Sequence, residues 1–380
     1  MKLSNYVVEI DSKKGKVFYD RTQKESLPIN SSEDLLRENF FLAGQEREAL
    51  EHFLFSPANT LKLVVIPTWQ CNLRCTHCCV LDRLEEEDKG DIDADLLADF
   101  VYRCKEKYNK NYISVLFCGG EPLLKPHSIE NIIQKLSEVD SKIPFHITTN
   151  LVELDDYRID VLKKTKHITI SIDGLEDYHN KQRKPCELYD IDNPYRKSLT
   201  NLKKLMLAGL RDKISVQAAM PCQEDKEYVK AYHASLIRLG VKKINYAMLH
   251  PTQNNGPTPA YLKWLRNRNE KTFTYPCCKY KYMSHFVVSP PSELHTDFYI
   301  YERLGSLSDS FDDLEKRFQE TILDEMPILQ DPKCLHCPVV GFCWGRCCQA
   351  NFFVKKPSEF CDQQRLIKMS DEIIRRSQKT

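Results

Sequence analysis

Three cysteines near the front of the chain and four near its back carry the chemistry this sequence can do. The front set reads Cys71-Asn-Leu-Arg-Cys75-Thr-His-Cys78, with three residues and then two between the thiols. That spacing lets one loop wrap three thiolates around a single iron–sulfur cluster. A [4Fe–4S] cluster has four irons, so three thiolates leave one iron open to a small-molecule ligand. Zinc is the competing reading of these thiols taken alone, because thiolates suit it as well as iron. The back set is Cys334, Cys337, Cys343 and Cys347, separated by two, five and three residues, with Cys361 beyond. By itself that run could equally be a zinc knuckle.

The elements that must hold these thiols follow from periodicity. From Leu61 onward, short apolar runs alternate with longer amphipathic stretches. Strands are predicted over 61–67, 112–118, 143–149, 167–172, 213–219 and 242–248. Helices are predicted over 93–107, 127–139, 155–164, 195–209 and 223–239. Strands separated by helices predict parallel βαβ units, which right-handed crossovers curl into a barrel or part of one. In such barrels chemistry sits on loops at the carboxyl ends of strands. Cys71 follows the first predicted strand and Gly119-Gly120-Glu121-Pro122 the second. Thr148-Thr149-Asn150 closes the third, Ser171-Ile-Asp173-Gly174 closes the fourth, and Gln217 lies in the fifth. All of them would face one rim.

A chain of 380 residues accommodates such a barrel plus appended modules. The expected division is an N-terminal segment 1–58, a barrel 59–250, a linker 251–276 and a cysteine-rich C-terminal domain 277–380. In the first segment, 5–10 and 16–20 predict a hairpin around Asp11–Gly15, followed by a short helix capped by Ser31 or Ser32 and another over 45–55. The hairpin edge could accept a peptide by strand addition, or the segment could simply cap the barrel. Fifty-five basic against 54 acidic residues leave a net charge of +1, which gives no electrostatic case for nucleic acid or an anionic membrane. No apolar run is long enough to span a bilayer, and the start lacks the apolar core of a signal peptide. A cytoplasmic protein is expected, in which sixteen cysteines favour metal ligation over disulfides.

The cysteine loop followed by Gly119-Gly120-Glu121-Pro122 resembles the radical S-adenosylmethionine superfamily, over residues 61 to about 250. The resemblance implies an α/β fold, a (β/α)6 partial TIM barrel, with a [4Fe–4S] cluster on Cys71, Cys75 and Cys78. It implies S-adenosylmethionine chelated to the open iron, and an electron transfer that yields a 5′-deoxyadenosyl radical able to take hydrogen from a substrate. Gly119, Gly120, Glu121 and Pro122 then match the motif that meets the methionyl amine, with glycines where backbone must approach the ligand. His77 falls where the family places a ring near adenine, Ser171 and Asp173 near the ribose, and Arg183 near the carboxylate. Asn150 and Gln217 complete the expected cofactor contacts. The implied reductant is a flavodoxin or ferredoxin.

The back cysteines resemble the SPASM domain of peptide- and protein-modifying radical enzymes. That resemblance implies an auxiliary [4Fe–4S] cluster on Cys334, Cys337, Cys343 and Cys361. It assigns Cys347 and an upstream cysteine, Cys278 or its neighbour Cys277, to a second auxiliary cluster. The chain departs from the pattern there, because the tract Ser289–Asp297 lacks the expected cysteine. His295 or Asp297 substitutes, or an iron stays open to substrate, or the cluster is absent; absence ranks slightly ahead. Asp297 also falls where sulfatase-maturing relatives carry an acidic base, and is the candidate catalytic residue. Cys79, Cys104, Cys118, Cys186, Cys222 and Cys348 are read as packing residues, with Cys79 and Cys118 the two to test as hydrogen donors. His146 and His179 are read as structural.

The expected function is a radical enzyme that crosslinks or oxidises a side chain of a ribosomal precursor peptide. The alternatives are a sulfatase maturase that generates formylglycine, and a non-catalytic partner that binds peptide or carries electrons.

Overall fold

A computed structural model describes residues 7–12, 15–20, 25–28, 44, 47–48, 51, 59–84, 90–219, 226–247, 283–296, 303–325 and 332–337. Contacts divide the chain into two compact units. One comprises Met1–Pro57, Gly256–Tyr282 and Glu315–Thr380, the other Ala58–Asn255 and Met283–Leu314.

In the first unit, β1 (Val7–Ser12) pairs antiparallel with β2 (Gly15–Asp20), and β2 with β3 (Glu25–Pro28). The predicted hairpin is present, extended by a third strand that the sequence pattern did not reveal. Ser31 and Ser32 lie outside the described residues.

The second unit contains all six predicted barrel strands. They are β4 (Thr60–Val65), β6 (Tyr112–Phe117), β7 (Phe145–Thr149), β8 (His167–Ser171), β10 (Ile214–Ala219) and β11 (Ile244–Ala247), and they lie side by side in chain order, all parallel. Two three-residue strands, β5 (Leu73–Cys75) and β9 (Arg183–Pro185), form a separate antiparallel ladder. A further strand, β12 (His285–Ser289), joins the main sheet parallel to β4, and β13 (Glu293–His295) and β14 (Arg303–Ser306) continue it antiparallel.

Five helices follow the strands where predicted, α1 (Ala94–Tyr108), α2 (Pro126–Val139), α3 (Asp156–Lys163), α5 (Pro194–Leu205) and α6 (Lys226–Arg238), and a short α4 (Glu176–Gln182) that was not predicted lies between α3 and α5. Their starts are chemically marked. The Asp93 side chain accepts from Asp95 N and Leu96 N, each at 3.0 Å, and Asn193 accepts from Arg196 N at 3.0 Å with Pro194 next in line. Both arrangements satisfy donors that a helix N-terminus leaves open. Helix α1 ends on Asn109 in a left-handed conformation (φ 49°), a residue type that tolerates it.

The strands have two unlike faces. Leu61, Leu63, Val65, Ile113, Val115, Phe117, Ile168, Ile170, Val216 and Ala218 are buried, as are Leu97, Phe100 and Val101 of α1 and Ile129, Ile132 and Leu136 of α2. The alternate residues include Lys62, Ser114, His146, Thr148, His167, Thr169, Ser171 and Gln217, half-buried or exposed, together with the half-buried apolar pair Val64 and Leu116. Register places His146 opposite His167, Thr148 opposite Thr169, and Ser171 opposite Gln217. His167 Nε2 and Ser215 Oγ share a hydrogen bond of 2.8 Å. A closed barrel fills its interior with branched apolar side chains, whereas this face is polar over β7, β8 and β10 and apolar only at Val64 and Leu116.

The segment carrying β12 to β14 is fastened to α1. Phe286 packs edge-to-face on Phe100 at 5.3 Å, Arg103 donates to Leu307 O at 2.6 Å, and Ser292 Oγ accepts from Asp93 N at 3.0 Å. Helix α7 (Phe311–Glu325) begins here, with Phe311 against Phe100 and Tyr108. The short α8 (Pro332–Leu335) carries Cys334. Among the described residues, no helix is long and apolar enough to cross a membrane.

Candidate cluster and cofactor site

The segment after β4 turns across the carboxyl ends of the strands and brings Cys71, Cys75 and Cys78 together. Its fold is fixed from three sides. The β5–β9 ladder sets Cys75 opposite Arg183, Thr76 N bonds Gln182 O at 2.9 Å, and Cys186 N bonds Asn72 O at 3.0 Å. A turn closes from Cys78 N to Cys75 O at 3.1 Å. Two small apolar clusters flank the thiols: Ile66, Trp69, Val80, Leu84 and Val287 against Cys71 and Cys78, and Leu73, Val152 and Ile191 against Cys71 and Cys75.

The second contact is with Gly119–Pro122. Gly120 N bonds Thr68 O at 3.2 Å and Glu121 N bonds Gln70 O at 2.8 Å, so the two loops are joined backbone to backbone. Such an approach needs glycine. A Cβ on Gly120 would lie 2.2 Å from Gln70 O, and one on Gly119, at φ +129°, would lie 2.4 Å from Ile66. Pro122 then opens a short 3-10 turn.

Glu121 is buried and fully engaged. Its carboxylate accepts from Thr149 Oγ1 at 2.6 Å, Asn150 N at 2.8 Å and Leu123 N at 3.1 Å. Burial raises its pKa against those three bonds, which lower it. It therefore ties the ends of β6 and β7 together. Asn150 continues the chain of contacts: its Nδ2 donates to Asn72 Oδ1 at 2.8 Å and lies 3.9 Å from Cys71 Sγ.

Asp173, beyond the end of β8, is the centre of a second buried network. It accepts from Arg183 Nε at 2.6 Å, Arg183 Nη2 at 3.2 Å and Ala219 N at 2.8 Å, with His77 Nε2 at 3.3 Å. Burial pushes its carboxyl upward, but Arg183 and His77 outweigh that and hold it below the usual range. Arg183 Nη1 lies 3.8 Å from Cys75 Sγ. Burial lowers His77, and the Arg183 charge adds to this.

His179, read from sequence as structural, belongs to this network, since its Nδ1 accepts from Asp173 N at 3.1 Å. Burial first and Arg183 second lower its pKa to about 3. An unfolded histidine protonates near ~6.5, so between that pH and about 3 the unfolded chain binds the extra proton. Stability therefore falls as pH drops through this window. Each pH unit is expected to cost up to ~1.4 kcal/mol. His179→Asn keeps an acceptor without titrating, so its urea midpoint should fall less than the wild type's between about pH 7 and about pH 5. Equal slopes in the two proteins would contradict this.

The three thiols fit an iron–sulfur cluster on their own chemistry. Burial pushes all three upward, Cys75 to about 11, and each also raises at least one of the others or is raised by it. Thiolates held so close and so deep require cationic charge, which bound iron supplies. Asn72 Nδ2 and His77 Nδ1 are buried polar atoms without a protein partner beside these thiols, the condition expected where a bound group completes the bonding. Among the described residues, no three His, Cys, Asp or Glu side chains converge as a single metal ion would need.

The structure thus brings together Cys71, Cys75, Cys78, His77, Gly119, Gly120, Glu121, Pro122, Asn150, Asp173 and Arg183. Ser171 and Gln217 pair in register on the polar face. Sequence reasoning passed over Asn72, although it adjoins Cys71. Cys334 and Cys337 lie in the other unit, joined by a bond from Cys337 N to Cys334 O at 3.0 Å. His295 shares a 2.9 Å bond with Ser289 Oγ. Cys278, Asp297, Cys343, Cys347 and Cys361 lie outside the described residues.

Residues 65–235 match the Radical SAM superfamily, in keeping with the parallel sheet and the cysteine loop at its carboxyl rim. An uncharacterized protein of Methanocaldococcus jannaschii is 24% identical over 238 residues, 56% of this chain and 77% of that protein. The cysteine-type anaerobic sulfatase-maturating enzyme of Clostridium novyi is 26% identical over 155 residues, and that of Clostridium perfringens 28% over 135. These matches cover 38% and 33% of this chain and span only 40% and 36% of the two Clostridium enzymes. Among solved structures, native anSMEcpe with bound AdoMet superimposes with a TM-score of 0.60 at 18% identity, over 84% of this chain and 100% of that one. Streptococcus suis SuiB bound to S-adenosylmethionine gives 0.58 at 15% identity, over 95% and 100%. At such identity the likeness speaks for the fold.

Proposed function

We propose that this radical enzyme modifies a side chain of a ribosomally made precursor peptide, by crosslinking or oxidation. The observation that carries the radical chemistry is the convergence of three half-buried thiols with the Glu121 and Asp173 networks at one rim of the sheet. When bound there, the cluster and S-adenosylmethionine supply a 5′-deoxyadenosyl radical. The chain's own residues do the rest. Cys71, Cys75 and Cys78 hold the cluster, and the apolar clusters around Trp69 and Leu73 keep water from it. Glu121 and the two glycines fix the loop that faces the cofactor. Asp173 positions Arg183 and His77, while Ser171 and Gln217 present polar groups along the sheet.

The peptide as substrate is supported by the fold neighbours: SuiB has been solved bound to its precursor peptide SuiA, and anSMEcpe with a Cp18Cys peptide. The spacing of Cys334, Cys337, Cys343 and Cys361 supports an auxiliary [4Fe–4S] cluster that takes up the electron left after hydrogen abstraction. Cys347 and Cys278 are the candidates for a second, degenerate site. A flavodoxin or ferredoxin is the proposed reductant. Nine free thiols among the described residues suit a reducing cytoplasm.

The identity with the two Clostridium enzymes favours a second reading, a sulfatase maturase in which Asp297 is the base. Co-expression with the product of a short reading frame beside the gene separates the two. Loss of hydrogen mass from that peptide, absent with a Cys71→Ala enzyme, supports the precursor reading. Turnover only on a sulfatase-derived cysteine peptide, giving formylglycine, overturns it in favour of the maturase.

A further inference from the structure

We propose that Arg183, clamped by Asp173, is a charged hydrogen-bond donor to Cys75 that raises the reduction potential of the cluster held there. This rests on the radical-enzyme reading above. The resemblance placed Arg183 at the cofactor's carboxylate, but the geometry commits it elsewhere as well. Asp173 takes Nε at 2.6 Å and Nη2 at 3.2 Å, leaving Nη1 as the nitrogen 3.8 Å from Cys75 Sγ. The β5–β9 ladder pairs Cys75 directly with Arg183, so backbone register as well as the side-chain fork holds the guanidinium at that sulfur. Asp173 is itself pinned by Ala219 N at 2.8 Å and has no exposed side-chain surface.

One-electron reduction adds negative charge to a cluster and its sulfurs. Net charge and hydrogen bonds to those sulfurs set the potential, and a buried cation acts through a low dielectric. Arginine remains charged throughout. The other side-chain donor to these thiols among the described residues is a built-in contrast: Asn150 Nδ2 lies at a similar 3.9 Å from Cys71 Sγ but is neutral. If charge dominates, losing Arg183 must matter more than losing Asn150.

The test is a potentiometric titration of the reconstituted full-length protein, followed by the electron paramagnetic resonance signal that responds to S-adenosylmethionine. Arg183→Gln should lower the equilibrium constant for one-electron reduction about tenfold, a shift of about 59 mV to more negative potential. Asn150→Ala should shift it less, and Arg196→Gln, an exposed position paired with Glu176, should leave it unchanged. Arg183→Gln with full iron content and a wild-type potential overturns the proposal and makes Arg183 purely structural. Should that variant hold no cluster, Arg183→Met decides, because it keeps an unbranched apolar stem in that space but carries neither the charge nor a donor for Cys75. It must also shift negative, and a wild-type potential there overturns the proposal. A wild-type chain that holds no cluster overturns the underlying radical reading instead.

Discussion

Cys71→Ala, reconstituted anaerobically with iron and sulfide, is expected to lose about four irons per chain and all S-adenosylmethionine cleavage. Three thiolates are the minimum this loop offers, and Cys71 is the one that touches both flanking apolar clusters. The fold should survive, because the sheet and its helices do not depend on a half-buried loop thiol. Circular dichroism and the urea midpoint of the metal-free chain should therefore match the wild type, while 5′-deoxyadenosine disappears. Cys78→Ala is less decisive, since Cys79 packs against the same apolar cluster and is adjacent in the chain. Retained cleavage in Cys71→Ala would mean that the cluster is held elsewhere.

Gly120→Ala is expected to be nearly as damaging, for a reason that involves no ligand. Its Cβ would meet Gln70 O at 2.2 Å and Trp69 O at 2.5 Å, both main-chain atoms that no rotamer change can move aside. Relief requires the cluster loop to retreat, which breaks the bonds from Gly120 N to Thr68 O and from Glu121 N to Gln70 O. Overpacking of this severity costs about 3 kcal/mol. The urea midpoint should drop accordingly and bound iron should fall with it. Wild-type stability together with full iron content would show that the two loops are not held backbone to backbone.

Much of this site was legible in the sequence because its parts sit at fixed offsets from predictable strands. Apolar runs at 61–67 and 112–118 marked two strands, and the chemistry-bearing residues followed each within a few positions. What escaped had no period to detect. The ladders of Leu73–Cys75 with Arg183–Pro185 are three residues long, too short for alternation to register, yet they set Arg183 beside Cys75. The strand His285–Ser289 escaped for another reason: its apolar run of Phe286, Val287 and Val288 is only three residues long. Its burial against α1 comes from tertiary contacts such as Phe286 on Phe100. His179 is read from sequence as a satisfied structural ring; its Nδ1 takes the Asp173 main-chain N–H, a partner found only in three dimensions, while its Nε2 is buried without one.

The polar face of the sheet bears on what the enzyme accepts. Thr148, Thr169, Ser171 and Gln217 run toward the same rim as the thiols, so a substrate group lying along them would meet hydrogen-bond partners rather than an apolar wall.

The central claim is tested most directly by anaerobic reconstitution, with iron and sulfide quantified and dithionite and S-adenosylmethionine then added. The account predicts 5′-deoxyadenosine together with about eight irons per chain, one catalytic and one auxiliary cluster, or about twelve if the degenerate site also fills. About four irons and no 5′-deoxyadenosine would contradict it and leave a non-catalytic iron–sulfur protein.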